Sequence, residues 1–240
     1  IPRGGLKKNL ADSKITIVIG SPDKFVLERE TITMHMADAL LAPAVAATMY
    51  AASTVTAGAS IVKLNREEKL DHELAAKKLP TMAVMSALVF AGQMINYTIP
   101  GTGSSGHICG GMLLTSVLGP WAGFLSMIAV LAIQCLFFAD GGLMALGANI
   151  WNMAFYGCFV GYFLIYRPIM HSNWFSGKGE KAAGRLRIIA ASVIGCIVTL
   201  QLGALSVVIE TSLSGIADIP FGVFCAIMQP IHLAIGLVEG

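Results

Sequence analysis

Seven apolar stretches, at residues 39–62, 80–99, 108–118, 121–139, 143–166, 188–209 and 219–238, leave this chain few folds to choose from. Most have the roughly 20 residues needed to cross a bilayer. Inside lipid, a backbone must pair its own polar groups, and a helix does so within one segment. With 55% hydrophobic and 12% charged residues and a mean hydropathy of +0.73, the composition excludes an ordinary soluble domain. The expectation is an all-α, polytopic membrane bundle of six to seven transmembrane helices. The stretch 108–118 is too short to span alone. It reads as a short third helix entered from the Gly-rich loop before it, an arrangement tolerated only where that loop is buried in protein or lines a cavity.

Lys and Arg placement orients the spans. Lys63, Arg66, Lys69, Lys77 and Lys78 crowd the first connection, and Arg167, Lys178, Lys181, Arg185 and Arg187 crowd the one before residue 188. Both connections therefore read as cytoplasmic loops. Counting spans from them puts Met34-His35, the 97–107 loop, Asp140-Gly141-Gly142 and residues 210–218 together on the outer side. The net charge of +2 is small and sits in the cytoplasmic connections, so lipid rather than nucleic acid is the expected surrounding. The five cysteines stand singly within apolar stretches, with no C-x-x-C pair, and read as buried small hydrophobes.

Against this apolar background, Met34-His35-Met36 carries unusual chemistry. In a chain that starts at Met34, the terminal amine, the deprotonated His35 amide nitrogen and the His35 imidazole form fused chelate rings around one metal ion. Such nitrogens lie nearly in a plane, which suits Ni(II) or Cu(II) over Zn(II) or Mg(II). One further imidazole completes the square. Residues 1–33 stand in the way of the amine. They have mixed charge, no run approaching a span, and no signal-peptide h-region. The expectation is that residues 1–33 are upstream or non-native sequence and that residues 34–240 are the working domain. The chain opens on Ile, and Glu28-Arg29-Glu30 can be encoded by a purine run of the kind that guides bacterial ribosomes to a start just downstream.

The best second imidazole is His107, in Pro100-Gly101-Thr102-Gly103-Ser104-Ser105-Gly106-His107. This contains G-x-G-x-x-G, but a span precedes it and no acidic residue follows at the dinucleotide-binding distance, so that reading fails on context. The glycines read instead as a loop in which backbone approaches backbone, with Ser104 and Ser105 as hydrogen-bond partners. The bland alternative has His107 only capping or packing. His72-Glu73 lacks a second His four residues on and reads as a solvated charge cluster. His171 reads as solvated, and His232, in an apolar run, as a hydrogen-bonded structural His, with a metal ligand as the alternative. Asn149 and Asn152, three apart near the outer end of one span, either orient a ligand imidazole or bond neighbouring helices.

The residues from 34 to 240 resemble the NikM/CbiM family, the membrane substrate-binding (S) components of energy-coupling factor nickel and cobalt transporters. The likeness rests on Met34-His35-Met36-Ala37-Asp38-Ala39-Leu40-Leu41, Ser105-Gly106-His107, the stretch from Gly141 to Met153, and Pro230-Ile231-His232-Leu233-Ala234-Ile235-Gly236. The resemblance implies a roughly seven-helix protein of a bacterial or archaeal cell membrane that captures Ni(II), or Co(II), outside. It implies as partners a transmembrane T-component, two ATP-binding-cassette ATPases and often a small accessory membrane protein. The implied metal set is the Met34 amine, the His35 amide and imidazole, and the His107 imidazole, with no organic cofactor. It further implies a last helical portion beyond Gly240. Met36-Ala37-Asp38 resembles the nickel branch more closely. The chain is expected to catalyse nothing itself, since no G-x-x-x-x-G-K-[ST] occurs and ATP is left to other chains. The rivals are a secondary transporter or channel in which the two histidines are unrelated, and an intramembrane metalloenzyme, which needs an open coordination position.

Overall fold

The computed structural model describes residues 35–70, 72–99, 104–216 and 219–240, all within one unit, Ile32–Gly240. Met34 and residues 1–33 lie outside the described residues. Seven helices occur among those described: α1 (Pro43–Leu70), α2 (His72–Gln93), α3 (Gly111–Leu118), α4 (Pro120–Phe138), α5 (Leu146–Met170), α6 (Glu180–Ser214) and α7 (Phe221–Glu239). Five of them, α1 and α4 to α7, are long and apolar enough to cross a membrane. The chain is a polytopic helical membrane protein.

Two departures from the sequence expectation matter. The described part of the 97–107 region is strand rather than irregular loop. Its arms form antiparallel strands β1 (Asn96–Ile99) and β2 (Ser104–His107), in the register Asn96 opposite His107. Backbone groups near lipid depth must be paired, and a hairpin pairs them without adding a turn of helix. Accordingly the second apolar stretch, expected to run to residue 99, ends as helix at Gln93. The first basic connection is also mostly helix rather than loop. Lys63, Arg66 and Lys69 extend α1, and Lys77 and Lys78 lie in α2, with Lys78 paired to Glu67 at 2.8 Å. Likewise Lys181, Arg185 and Arg187 lie on α6.

Between membrane helices the hydrophobic effect adds little, so contact depends on close packing and interhelical hydrogen bonds. Leu114, Phe124, Met127, Leu131, Ala154 and Phe159 bury one core among α3, α4 and α5. Gly111 of α3 and Gly157 of α5 meet backbone to backbone, so a Cβ added at Gly111 would lie 2.9 Å from Gly157 Cα. Beside them the Thr115 hydroxyl donates to the Cys158 carbonyl at 3.1 Å. A second core, with Ala204, Val208, Phe224 and Met228, joins α6 to α7. The stretch Ile150–Tyr166 of α5 is wound as a π-helix, a winding often found at functional sites.

This packing predicts that Gly157→Leu forces α3 from α5 and destabilises the bundle by about 1–3 kcal/mol, the usual range for overpacking. Thermal unfolding in detergent measures it. An unchanged midpoint would contradict the contact.

Candidate functional site

The segment after Met34 folds back on the head of α5. Met36 and Leu41 are buried against Ala145 and Ala148. Met36 N–H donates to Asn149 Oδ1 at 3.0 Å, and Asn149 Nδ2 donates to the Met36 carbonyl at 3.2 Å. That carbonyl also accepts from Gly142 N–H at 3.1 Å. Asp38 Oδ1 accepts the Ala145 N–H at 2.8 Å. The close approach requires Gly141 and Gly142. Gly141 adopts φ +80°, a Cβ there would sit 2.8 Å from His35 Cβ, and a Cβ on Gly142 would overlap Asp38.

These anchors bury His35, which is 4% exposed. Its N–H donates to Asp140 Oδ1 at 3.3 Å, and its Nδ1 lies 3.2 Å from Asp140 Oδ2. The amide nitrogen and Nδ1 thus face one carboxylate from the same side. The other ring nitrogen, Nε2, has no hydrogen-bond partner among the described residues. An unsatisfied buried polar group of this kind is worth about 1–3 kcal/mol of lost stability.

His107 closes β2. Its Nδ1–H donates to the Ile108 carbonyl at 2.8 Å, and because a carbonyl only accepts, the lone pair is left on Nε2. Burial, and secondarily the neighbouring His35 ring, lower the His107 imidazole to about 4. It is therefore neutral at physiological pH and available as a donor to metal. The His35 and His107 rings stand 4.9 Å apart between centroids, with planes inclined by 61°. Both line a cavity of about 60 Å³ shared with Cys109, Asn152, Met228 and His232, room for an ion and a few waters. The Cys109 thiol is pushed up to about 12, by burial first and then by the Glu239 carboxylate, and so stays protonated and a poor metal ligand.

Of the residues singled out in the sequence, the structure brings together His35, His107 and Asn149. Asn149 holds the Met36 backbone rather than an imidazole. Asn152 lines the cavity but donates to Glu210 Oε2 at 2.8 Å, joining α5 to α6. Ser104 and Ser105 stand on β2 opposite Ile99 and Thr98, and their side chains lie outside the described residues. Sequence reasoning passed over Asp140 and Asp38. The available signal was an acidic residue beside two glycines at the outer end of a span, on the side already assigned to His35. Among the described residues, no group of three or more His, Cys, Asp or Glu side chains is arranged to hold a metal ion.

Residues 35–240 match the family model described as the cobalt uptake substrate-specific transmembrane region, CbiM. The chain belongs to this family. Among its relatives, a fused chain of Archaeoglobus fulgidus named for nickel transport, NikMN, is 40% identical over 207 residues, covering 86% of this chain and 62% of the relative. The cobalt transport protein CbiM of Sorangium cellulosum is 33% identical over 67% of this chain and 68% of its own length. A crystal structure of a truncated transition metal transporter superimposes with a TM-score of 0.70 at 34% identity, covering 86% of this chain and 92% of that one. The chain spans about three fifths of the length of the Archaeoglobus relative.

Asn149→Ala removes both side-chain bonds to the Met36 peptide. At about 0.5–1.5 kcal/mol each, their loss is expected to speed hydrogen exchange at the Met36 amide about tenfold or more. Exchange mass spectrometry of the peptide that contains residue 36 measures it, and unchanged protection would mean that other contacts hold the segment.

Proposed function

We propose that this chain is the membrane capture component of a nickel uptake transporter, with cobalt as the alternative cargo. In this reading Ni(II) is bound on the outer side by the Met34 amine, the His35 amide nitrogen and Nδ1, and His107 Nε2, in a chain that starts at Met34. The observation that carries the reading is the meeting of His35 and His107 at 4.9 Å over one cavity, with the His35 amide nitrogen and Nδ1 turned to the same side. That shared direction is what a six-membered chelate ring through these two atoms requires. The lack of a three-side-chain cluster among the described residues is in keeping with a site that draws on backbone and terminal nitrogens. A planar nitrogen set favours Ni(II), and the similarity to a NikMN-named chain, at 40% against 33% for a CbiM-named one, points the same way.

The chain itself catalyses no reaction in this proposal. A transmembrane T-component and two ATP-binding-cassette ATPases, often with a small accessory membrane protein, drive release of the ion inward across the cell membrane of a bacterium or archaeon. The family's relatives come from both groups. The β2 strand ends on His107, and in this reading that residue must part from His35 for the ion to enter.

The test is nickel content and visible absorption of the Met34-initiated protein in detergent. About one nickel per chain with the yellow d–d band of a planar complex is expected. His107→Ala and His35→Ala should each weaken binding by more than the roughly 10–100-fold typical of losing a second-sphere group. A form carrying residues 1–33 should bind as weakly, because an amide replaces the amine. Equal binding by that form would remove the amine from the ligand set, and unaltered binding by both His variants would end the proposal.

The pH dependence follows from the ligands. Metal must displace one proton from the amine, whose ordinary value is about 7.7–8, and one from the amide. Protons compete for the amine, amide and imidazole nitrogens, so affinity is expected to fall on acidification below about pH 7.5, by at least about 100-fold per unit for the amine and amide protons alone. His107, neutral until about 4, adds nothing to that slope. Titration of nickel binding between pH 8 and 5.5 measures it, and a flat profile would exclude amine and amide ligation.

A further inference from the structure

The same cavity holds a third imidazole that the capture site does not use. His232 stands half-way along α7, and its Nδ1–H donates to the Met228 carbonyl one turn back at 2.8 Å. As with His107, the backbone takes one ring nitrogen and leaves the lone pair on Nε2. The ring lines the cavity with His35 and His107, and the thioethers of Met153 and Met228 line it too. Imidazole nitrogen is a good donor to Ni(II) and Co(II), whereas thioether sulfur is softer and suits them less well. Two turns further along the same face of α7, the Glu239 carboxylate accepts the N–H groups of Cys109 and Gly110 at 2.7 and 2.8 Å. The peptide that follows His107 is thereby fastened to the helix that carries His232. The register between the two imidazoles is fixed by backbone bonds at both ends.

A capture site with four nitrogens holds its ion tightly and offers no easy exit. Conduction needs binding that is favourable enough to accept an ion and weak enough to give it up. One imidazole beside methionine residues, with no Asp or Glu among the described residues of the lining, meets that description. We propose that His232 Nε2 is a second, transient ligand for the transported divalent ion, receiving it from the His35–His107 end of the cavity on its way across the membrane; this rests on the capture reading above. The step is a ligand exchange. The ion leaves a capture-site nitrogen for the Nε2 lone pair, and the vacated capture nitrogens take back their protons.

The test separates a relay from a packing role by changing the ring and keeping its bond. His232→Asn retains an N–H that can donate to the Met228 carbonyl and removes Nε2, whereas His232→Cys restores a metal-binding atom. Purified proteins are assayed for nickel content and visible band, and uptake of radioactive nickel is measured in cells that assemble the complete transporter. The expected result is that the Asn form holds nickel as the wild type does, while its uptake is slower by about tenfold or more, a barrier change of about 1.4 kcal/mol. The Cys form should recover most of the rate. Wild-type uptake by the Asn form, equal slowness in the Asn and Cys forms, or loss of nickel at equilibrium from the Asn form would each overturn the relay. Absence of nickel from the wild-type protein would instead overturn the capture reading.

Discussion

The seizure of residues 35–38 by the junction of α4 and α5 is the constraint on which the rest of the site depends. A peptide buried at the end of a membrane bundle has no water to satisfy its N–H and C=O groups. Here Asp140, Asn149 and Gly142 take that role for His35 and Met36, while Asp38 returns the favour to Ala145. The bonds are reciprocal, so neither the segment nor the head of α5 can shift alone. They exist only because Gly141 and Gly142 carry no side chain where His35 and Asp38 pass. Residues 35–38 thereby become a fixed wall of the cavity.

The opposite wall is made by a different device. The β1–β2 hairpin hands His107 to the cavity, and three bonds from separate helices keep the following peptide in place. Gln93 of α2 donates to the Cys109 carbonyl at 2.7 Å, and Glu239 of α7 accepts the N–H groups of Cys109 and Gly110. Among the described residues, the two walls share no backbone hydrogen bond. Their meeting is an edge contact of two rings. Each wall is held by its own helices, which suits the entry of an ion between them in the proposed function.

The apolar stretches made the bundle legible, down to a short third helix, because lipid leaves so few ways to pair a backbone. That His35, His107 and Asp140 come together at one end of the bundle agrees with their common side in the count of spans from charge placement. The hairpin was not legible. Its arms, Asn96–Ile99 and Ser104–His107, are too short for a two-residue period to stand out, and the glycines between them read as loop. The role of Asn149 was out of reach for another reason: its partner is a main-chain peptide, and sequence carries no mark of which peptide a side chain will hold. His232 was read as a structural His because a lone imidazole in an apolar run usually is one. Only the cavity joins it to the other two.

Charge balance gives the arrangement around Asp140 its physical sense. A divalent ion placed at the edge of a low-dielectric bundle is expensive unless opposite charge lies close. In the proposed capture site the ion displaces the His35 amide proton, and the peptide nitrogen becomes one negative charge. The proton that leaves is the one Asp140 Oδ1 already accepts at 3.3 Å, and Oδ2 lies 3.2 Å from Nδ1. A carboxylate beside a deprotonated amide is the pair of negative charges that balances a divalent ion. A neutral complex can be buried and moved at far lower cost than a bare divalent ion. Return of a proton to the amide, by contrast, both breaks a ligand bond and restores net positive charge.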